Sequence, residues 1–408
     1  MGLITTSRPD RQEPGQTSRS TSLPMKRKDP HEQLRLISQN CSHCGVCADS
    51  CELLGDLGLH PGEIARAITD DEVHNDTIGA VQRCDLCGLC GQDCTSGIEP
   101  GEMMLAVRTA LQHQGKLPLQ DYELALVDRD WNIFSLYRAT YAIDYTDLKR
   151  ERYKTLFLPG CSLGSFAPEL TRATYTWLLS QGIDAGFSEL CCGEPLGNIG
   201  LKQRADRYSH YLGEMLRKAW ADTIITACPG SFGYLAKSLP EIKVLSLYRL
   251  MNEAGIRVTT GERLAVHDSC ADRRPYGPKA GEDLRYMLAG NELLEMKHHG
   301  KRSICCGSGG VVSLVDRDLF LKRARRRFGE FEETGAQRLV TACMTCVYTL
   351  SQVSEPYRVA HFLELAFGLA VDQGHILENL YAMWDGELGE ANQARLLQAR
   401  CFTSEEEG

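Results

Sequence analysis

The sequence predicts an α-helical cysteine-rich domain followed by a duplicated α/β domain. Three observations predict it. Two copies of C-x2-C-x2-C-x3-C fall within residues 31–118, among helical signals. Farther on, cysteine-bearing segments recur at a nearly constant offset: Cys161 and Cys270 lie 109 residues apart, Cys191 and Cys305 114, and Cys228 and Cys343 115. An offset that steady marks an internal duplication. Each copy also alternates short apolar runs with helical stretches, which points to mainly parallel sheets.

Taken in order, residues 1–30 are rich in Ser, Thr, Pro, Arg and Gln and read as a disordered tail. In the helical domain, 31–118, Pro61 starts a helix that puts Ile64, Ala65 and Ile68 on one face. Pro100 opens another, with Met104, Val107 and Leu111 as its stripe and Gly115 as its stop. Residues 119–150 read as a helical linker. The first α/β lobe, 151–260, carries KTLFLPGCSL into Cys161 and DTIITACPGS into Cys228. The second, 261–385, carries RLAVHDSCAD into Cys270 and QRLVTACMTC into Cys343. These cysteines follow the strands' C-terminal ends, where open α/β sheets place ligands. Residues 386–408 read as a C-terminal tail, with Cys401 a plain thiol.

Composition narrows the function. A hydrophobic share of 43% fits a globular protein with buried cores. A net charge of -9 argues against a nucleic-acid partner. No run of about 18 apolar residues is present to span a membrane, and the N-terminus lacks the apolar core of a secretory signal. Eighteen cysteines in tight clusters then favour metal sites in a reducing cytoplasm over disulfides.

The two runs supply Cys41, Cys44, Cys47 and Cys51, then Cys84, Cys87, Cys90 and Cys94. In two-cluster ferredoxins the fourth cysteine of each run serves the other cluster. The expected sets are therefore Cys41, Cys44, Cys47 and Cys94 for one cubane [4Fe-4S] cluster, and Cys84, Cys87, Cys90 and Cys51 for a second. Structural zinc usually takes two C-x2-C pairs, and two full four-cysteine runs weigh against it. His43 reads as a loop side chain near a cluster.

The second lobe holds five thiols: Cys270, the doubled Cys305–Cys306, Cys343 and Cys346. Adjacent cysteines rarely bond to each other, because the ring strains the peptide. A cubane needs four thiolates, so either one is spare or the core is an opened, non-cubane cluster. Gly307, Gly309 and Gly310 let backbone N–H groups approach sulfur. The first lobe has Cys161, Cys191, Cys192 and Cys228, but Ser231 stands where a fifth cysteine would. A cubane, a non-cubane cluster with a serine or open site, zinc, and an empty site all remain open there. His267 and Asp268 are candidate proton donors to a leaving thiolate, or residues that orient the cluster loop. His361 reads as a packed helix residue. KRARRRF, Lys322 to Phe328, reads as a solvated face or a docking patch for an acidic electron-transfer partner. No Gly-rich dinucleotide loop or Walker motif appears, so no NAD, flavin or nucleotide site is expected, and electrons must come from or go to another subunit.

The spacing of the runs, the helix with Ile64, Ala65 and Arg66, and the trailing helix with Val107 and Arg108 resemble the helical ferredoxin domain in the C subunit of heterodisulfide reductase. The proline usual after each fourth cysteine is replaced by Glu52 and Thr95. The repeated doubled-cysteine pattern resembles the CCG domain of that enzyme's B subunit, which implies a non-cubane cluster that handles disulfides. Together, over residues 35–370, they resemble the D subunit of heterodisulfide reductases, and equally the C subunit of anaerobic glycerol-3-phosphate dehydrogenase. The resemblance implies an iron–sulfur oxidoreductase subunit of a multisubunit complex. Its reactive site would be the second-lobe cysteines with a disulfide or dithiol substrate. Its partners would be a flavoprotein or other redox subunit and a membrane cytochrome b or quinone-linked subunit, with the chain cytoplasmic and peripheral to the membrane's inner face. The competing reading is a pure electron relay between a flavoprotein dehydrogenase and a quinone or cytochrome, without a substrate site.

Overall fold

The computed structural model describes residues 30–69, 75–274, 276–356 and 358–402. Apart from Pro30, the expected N-terminal tail lies outside them. The N-terminal domain is helical, with principal helices Pro30–Asn40, Pro61–Thr69, Asn75–Gln82 and Pro100–His113. Pro100 sits in the first turn of its helix, where its missing N–H costs nothing. Leu34, Ile64, Val81, Met104, Val107 and Leu111 close a small core from these helices. The two cysteine runs are loops that wrap its edge, each ending in a single helical turn, Val46–Asp49 and Leu89–Gln92.

The linker is helical only in part. A capping box between Asn132 and Ser135 starts a helix over Ile133–Thr140, flanked by the 3-10 turns Leu119–Ala125 and Thr146–Leu148.

Each α/β lobe is a four-stranded, all-parallel sheet. In the first, β1 (Thr155–Leu158) lies between β2 (Ala185–Phe187) and β3 (Thr223–Thr226), and β4 (Lys243–Ser246) forms the far edge. In the second, β5 (Arg263–His267) lies between β6 (Glu292–Leu293) and β7 (Arg338–Thr341), with β8 (Val359–His361) at the edge. The strand order is the same in both, which makes the duplication visible in topology. Central strands covered by helices on both faces read as apolar runs, as Leu156–Leu158 of β1 and Leu339–Val340 of β7 do. One core spans both lobes, including Phe157 and Ile225 from the first and Val266 and Val340 from the second.

The lobes meet at their ligand-bearing ends. The buried Tyr248 hydroxyl lies 2.7 Å from the carbonyl oxygens of both Ala227 and Ala342, the residues before Cys228 and Cys343. His361 Nε2 stands 3.2 Å from the same hydroxyl. His361 is thus not inside a helix, as the sequence suggested. It ends β8 and caps the following helix, with Glu364 accepting its backbone N–H in a capping box.

The segment from 386 is likewise not a tail. Gly386–Leu397 is a helix whose Asn392 is fully buried and donates to the Met383 carbonyl, so its polar composition hid a one-sided element. Phe402 then docks on Tyr208 and Tyr211, and its N–H bonds the Asp128 carbonyl. Among the described residues no helix is long and apolar enough to cross a membrane.

Candidate metal centres

The two N-terminal runs fold alike. His43 and Leu86, third in each run, and Gly45 and Gly88, fifth, all take the left-handed conformation. That costs a non-glycine residue about 1–2 kcal/mol, and each curled loop brings its first three cysteines to one cleft. Cys41, Cys44, Cys47 and Cys94 line an outer cleft of about 340 Å³, with Cys90 at its inner wall. Cys44 is exposed there, and its thiol is held below its ordinary pKa by the Val46 N–H, then by Ser42 and Thr95. His43 stacks on His60 at 5.2 Å, outside this thiol set.

Cys51, Cys84, Cys87 and Cys90 line an inner cleft of about 630 Å³, closed by Ile304, Cys305 and Arg323 of the second lobe. Burial pushes the Cys84 and Cys90 thiols up, and Cys51 to about 12. Cys87 goes the other way, held down to about 6 chiefly by the Cys305 thiol hydrogen-bonded to it.

Two departures from the familiar motif acquire roles. Thr95, in place of a proline, lies 3.9 Å from Cys44 Sγ. Glu52, in place of the other, pairs with Arg326 at 2.7 Å and approaches Arg323.

In the second lobe Cys270 opens a 3-10 turn just after β5, and Cys343 caps the helix after β7 with Cys346 in its first turn. Cys305, Cys306, Cys343 and Cys346 are all buried. Gly307 donates its N–H to Cys305 Sγ at 3.3 Å, as expected of a residue at a sulfur site. Gly309 and Gly310 instead receive the ferredoxin loop. A Cβ on Gly309 would lie 2.3 Å from the Asp85 carbonyl oxygen, and one on Gly310 2.2 Å from that of Cys84. The glycines therefore let the Cys84–Asp85 loop of the N-terminal domain rest directly on the second lobe.

A ring nitrogen of His267 and the sulfurs of Cys306 and Cys346 all lie within 4.8 Å of one another. Arg327 Nε donates to His267 Nδ1 at 2.9 Å, so the ring proton belongs on Nε2, facing sulfur. Burial pushes the imidazole pKa below its ordinary value. Asp268 points away. Its carboxylate takes two bonds from Arg285, at 2.6 and 2.9 Å, and the Gly300 N–H, and this outweighs burial to hold its pKa low.

The first lobe brings its four thiols together, with Cys161 and Cys191 sulfurs 3.7 Å apart. Ser231 is buried and bonds the Cys228 thiol. Gly160 takes a positive φ, and a Cβ there would meet the Cys228 Cβ at 2.6 Å. Leu158 occupies the position that His267 has in the second lobe, three residues before the strand-end cysteine. Arg138 is near, and it donates to Ser165 Oγ. The two thiol sets adjoin through Cys228 and Cys343, and Ser162 Oγ meets Thr345 Oγ1 across the seam at 2.9 Å.

Arginines organise the junction of the three domains. Arg108, fully buried, donates to the carbonyls of Val81, Gln82 and Cys84 in its own domain, Asn198 in the first lobe and Gly310 in the second. The basic turn 322–328 is largely engaged within the chain, although Lys322 and Arg325 stay exposed. Lys322 pairs with Asp56, Arg323 with Asp85 and Arg326 with Glu52, so its acidic partner is the N-terminal domain of the same chain. The sequence marked Arg108 only as part of a family-like helix, and nothing in it pointed to this clamp.

Buried atoms without partners test what these thiols hold. Arg273 Nε, Nη1 and Nη2, Arg327 Nη2 and His267 Nε2 are all buried and unbonded. Unpaired buried donors are costly, and cations more so. Donors collected around grouped sulfurs fit an anionic thiolate-ligated iron–sulfur cluster.

Comparison with known proteins follows the same division. Residues 40–99 match the family model of a 4Fe-4S dicluster domain, and residues 155–235 and 264–351 each match that of a cysteine-rich domain, CCG. The chain is similar to the D subunit of the dihydromethanophenazine:CoB–CoM heterodisulfide reductase of Methanosarcina acetivorans, 25% identical over 361 residues, covering 75% of this chain and 87% of that protein. The corresponding protein of Methanosarcina barkeri is 27% identical over 327 residues, covering 74% and 77%. The glycolate oxidase iron-sulfur subunit of Escherichia coli is 22% identical over 391 residues, covering 81% and 93%.

Proposed function

With a 4Fe-4S dicluster domain ahead of two cysteine-rich domains, this chain is a relative of the D subunit of heterodisulfide reductases, and we propose that it is the iron–sulfur electron-transfer subunit of such an oxidoreductase complex. In this reading electrons are exchanged with a redox partner at the outer site and with a disulfide or dithiol at the second lobe. One observation carries it: the inner thiol set and the second-lobe set are in contact, Cys87 with Cys305, because Gly309 and Gly310 admit the Cys84–Asp85 backbone. Iron–sulfur clusters, when bound, supply one-electron storage and a Lewis-acidic site for a thiolate.

The chain's residues divide the work. Cys41, Cys44, Cys47 and Cys94 would hold the outer cubane cluster, and Cys51, Cys84, Cys87 and Cys90 the inner one. Exposed Cys44 marks the outer site as the face for a flavoprotein or other redox subunit. Cys270, Cys305, Cys306, Cys343 and Cys346 would hold the third, non-cubane cluster. His267 would present its Nε2–H to sulfur there rather than deliver protons, because its Nδ1 is taken by a guanidinium that does not release one. Cys161, Cys191, Cys192 and Cys228, with Ser231, form a structural counterpart not needed for electron delivery.

Anaerobically purified protein tests this. Three four-iron sets give about 12 irons per chain, and about 16 would overturn the assignment of the first lobe. A paramagnetic signal from oxidised protein that depends on added thiol supports substrate chemistry at the second lobe. The degraded first lobe, with Leu158 and Ser231, favours a second reading, a pure relay to a quinone or cytochrome partner. Silence with every thiol, together with capture of such a partner, would select it.

A further inference from the structure

We propose that Tyr248, a residue of the first lobe, is a positioning residue for the second-lobe centre: its hydroxyl fixes the peptide that carries Cys343, so that the first lobe braces the lobe that does the chemistry. This rests on the reading above that the second-lobe thiols hold a cluster. Tyr248 lies in the first turn of the helix Leu247–Glu253, which follows β4. His361 ends β8, the matching strand of the second lobe. Both side chains are buried.

The sequence Thr-Ala-Cys stands at the end of β3 and again at the end of β7, as Thr226–Cys228 and Thr341–Cys343. In each copy the alanine carbonyl and the cysteine N–H belong to one planar peptide group. In each the cysteine N–H donates to the threonine Oγ1, at 3.2 Å in the first lobe and 3.4 Å in the second. In each the alanine oxygen lies 2.7 Å from the Tyr248 hydroxyl. One side chain thus meets both copies at the same atom. A peptide held at its N–H and at its oxygen cannot swing about the strand end, and the cysteine is fixed with it.

One hydroxyl has one hydrogen to give. His361 supplies a second. Its Nδ1 accepts the Leu363 N–H at 3.4 Å, so its own hydrogen sits on Nε2, 3.2 Å from the Ala342 oxygen. Burial holds the imidazole pKa down to about 4 and pushes the phenol pKa up, so both hydrogens stay in place near neutral pH. The hydroxyl is the nearer donor to Ala342, and that bond crosses from one lobe to the other. Phenylalanine at 248 would keep the ring and remove the tie.

The test is iron analysis and EPR of the anaerobically purified full chain, titrated with thiol. Tyr248→Phe should leave the two cubane signals as they are. It should raise roughly tenfold the thiol needed for half of the second-lobe signal, the effect of about one buried hydrogen bond. Tyr208→Phe is the control. It removes a buried hydroxyl that bonds the Cys191 carbonyl at 3.0 Å within the first lobe, and should leave the thiol dependence unchanged. If Tyr248→Phe loses iron, a deficit of about four irons with both cubane signals kept supports the proposal. Iron lost from every centre overturns it, as does unchanged thiol dependence in the fully loaded variant, or an equal shift in Tyr208→Phe. Silence of the unmodified chain with every thiol would sink the substrate chemistry proposed above and not this role, which iron then decides: a second-lobe deficit in Tyr248→Phe alone supports it, and full iron overturns it.

Discussion

In the second lobe β5 ends on His267, whose ring meets Cys306 and is held by Arg327. In the first lobe β1 ends on Leu158, and a buried serine faces Cys228. The sheets share one strand order, and thiols gather at the same ends. Their contacts with the N-terminal domain differ too. The first lobe touches it through Gly200, where a Cβ would come 2.7 Å from the Arg108 backbone in a helix. The second touches it through Gly309 and Gly310, against the Cys84–Asp85 loop. A duplicated sheet thus preserves the place where a ligand sits while the polar groups around that place diverge. Function is read from those groups, not from the fold they share.

The largest expected effect breaks the symmetry outright. Cys306→Ala should remove about four irons per chain and the thiol-dependent signal, whereas Cys192→Ala should leave both in place. Iron analysis and EPR on paired preparations check this, and equal losses would make the lobes equivalent. Next in size is the support of the sulfur sites. Arg327→Met removes the partner of His267 Nδ1 and of Glu330 Oε2, leaving Glu330 with His298, and should cost about 3–5 kcal/mol in anaerobic urea unfolding. In the first lobe Tyr208→Phe removes one hydroxyl bond to the Cys191 carbonyl, and should cost only about 1 kcal/mol.

A sharper test concerns docking. Gly310→Ala places a Cβ 2.2 Å from the Cys84 carbonyl at a positive φ, and should cost about 1–3 kcal/mol. Stopped-flow reduction should show slower electron arrival at the second lobe. Gly200→Ala should cost a similar amount yet leave that rate unchanged. The smallest effect is that of the exposed Lys322–Asp56 pair, where Lys322→Ala should change stability by about 0.2–1 kcal/mol, less at high salt.

The cysteine code was legible because ligand spacing is a local property. The exchange of Cys51 and Cys94 between runs came from the two-cluster ferredoxin pattern rather than from spacing alone; Cys94 lines the outer cleft and Cys51 the inner one. The duplication was legible from its constant offset. Other features were not, because they depend on what lies across the domain junction. Gly309 and Gly310 carry the same sequence signal whether they approach sulfur or a neighbouring backbone. The turn 322–328 looked like a surface patch because its acids, Glu52, Asp56 and Asp85, are more than two hundred residues away. Arg273 belongs to no motif, and Arg108 stood out only as one position of a familiar helix. Burial without a carboxylate partner is what sets both apart.

The five carbonyls held by Arg108 also order events in time. Three lie in its own domain, one at residue 198 and one at residue 310. A ribosome must therefore complete about three quarters of the 408-residue chain before the last acceptor exists. Until then the N-terminal thiol loops stay uncovered by their later neighbours, an interval during translation when iron-delivery machinery can reach cysteines that the finished molecule encloses.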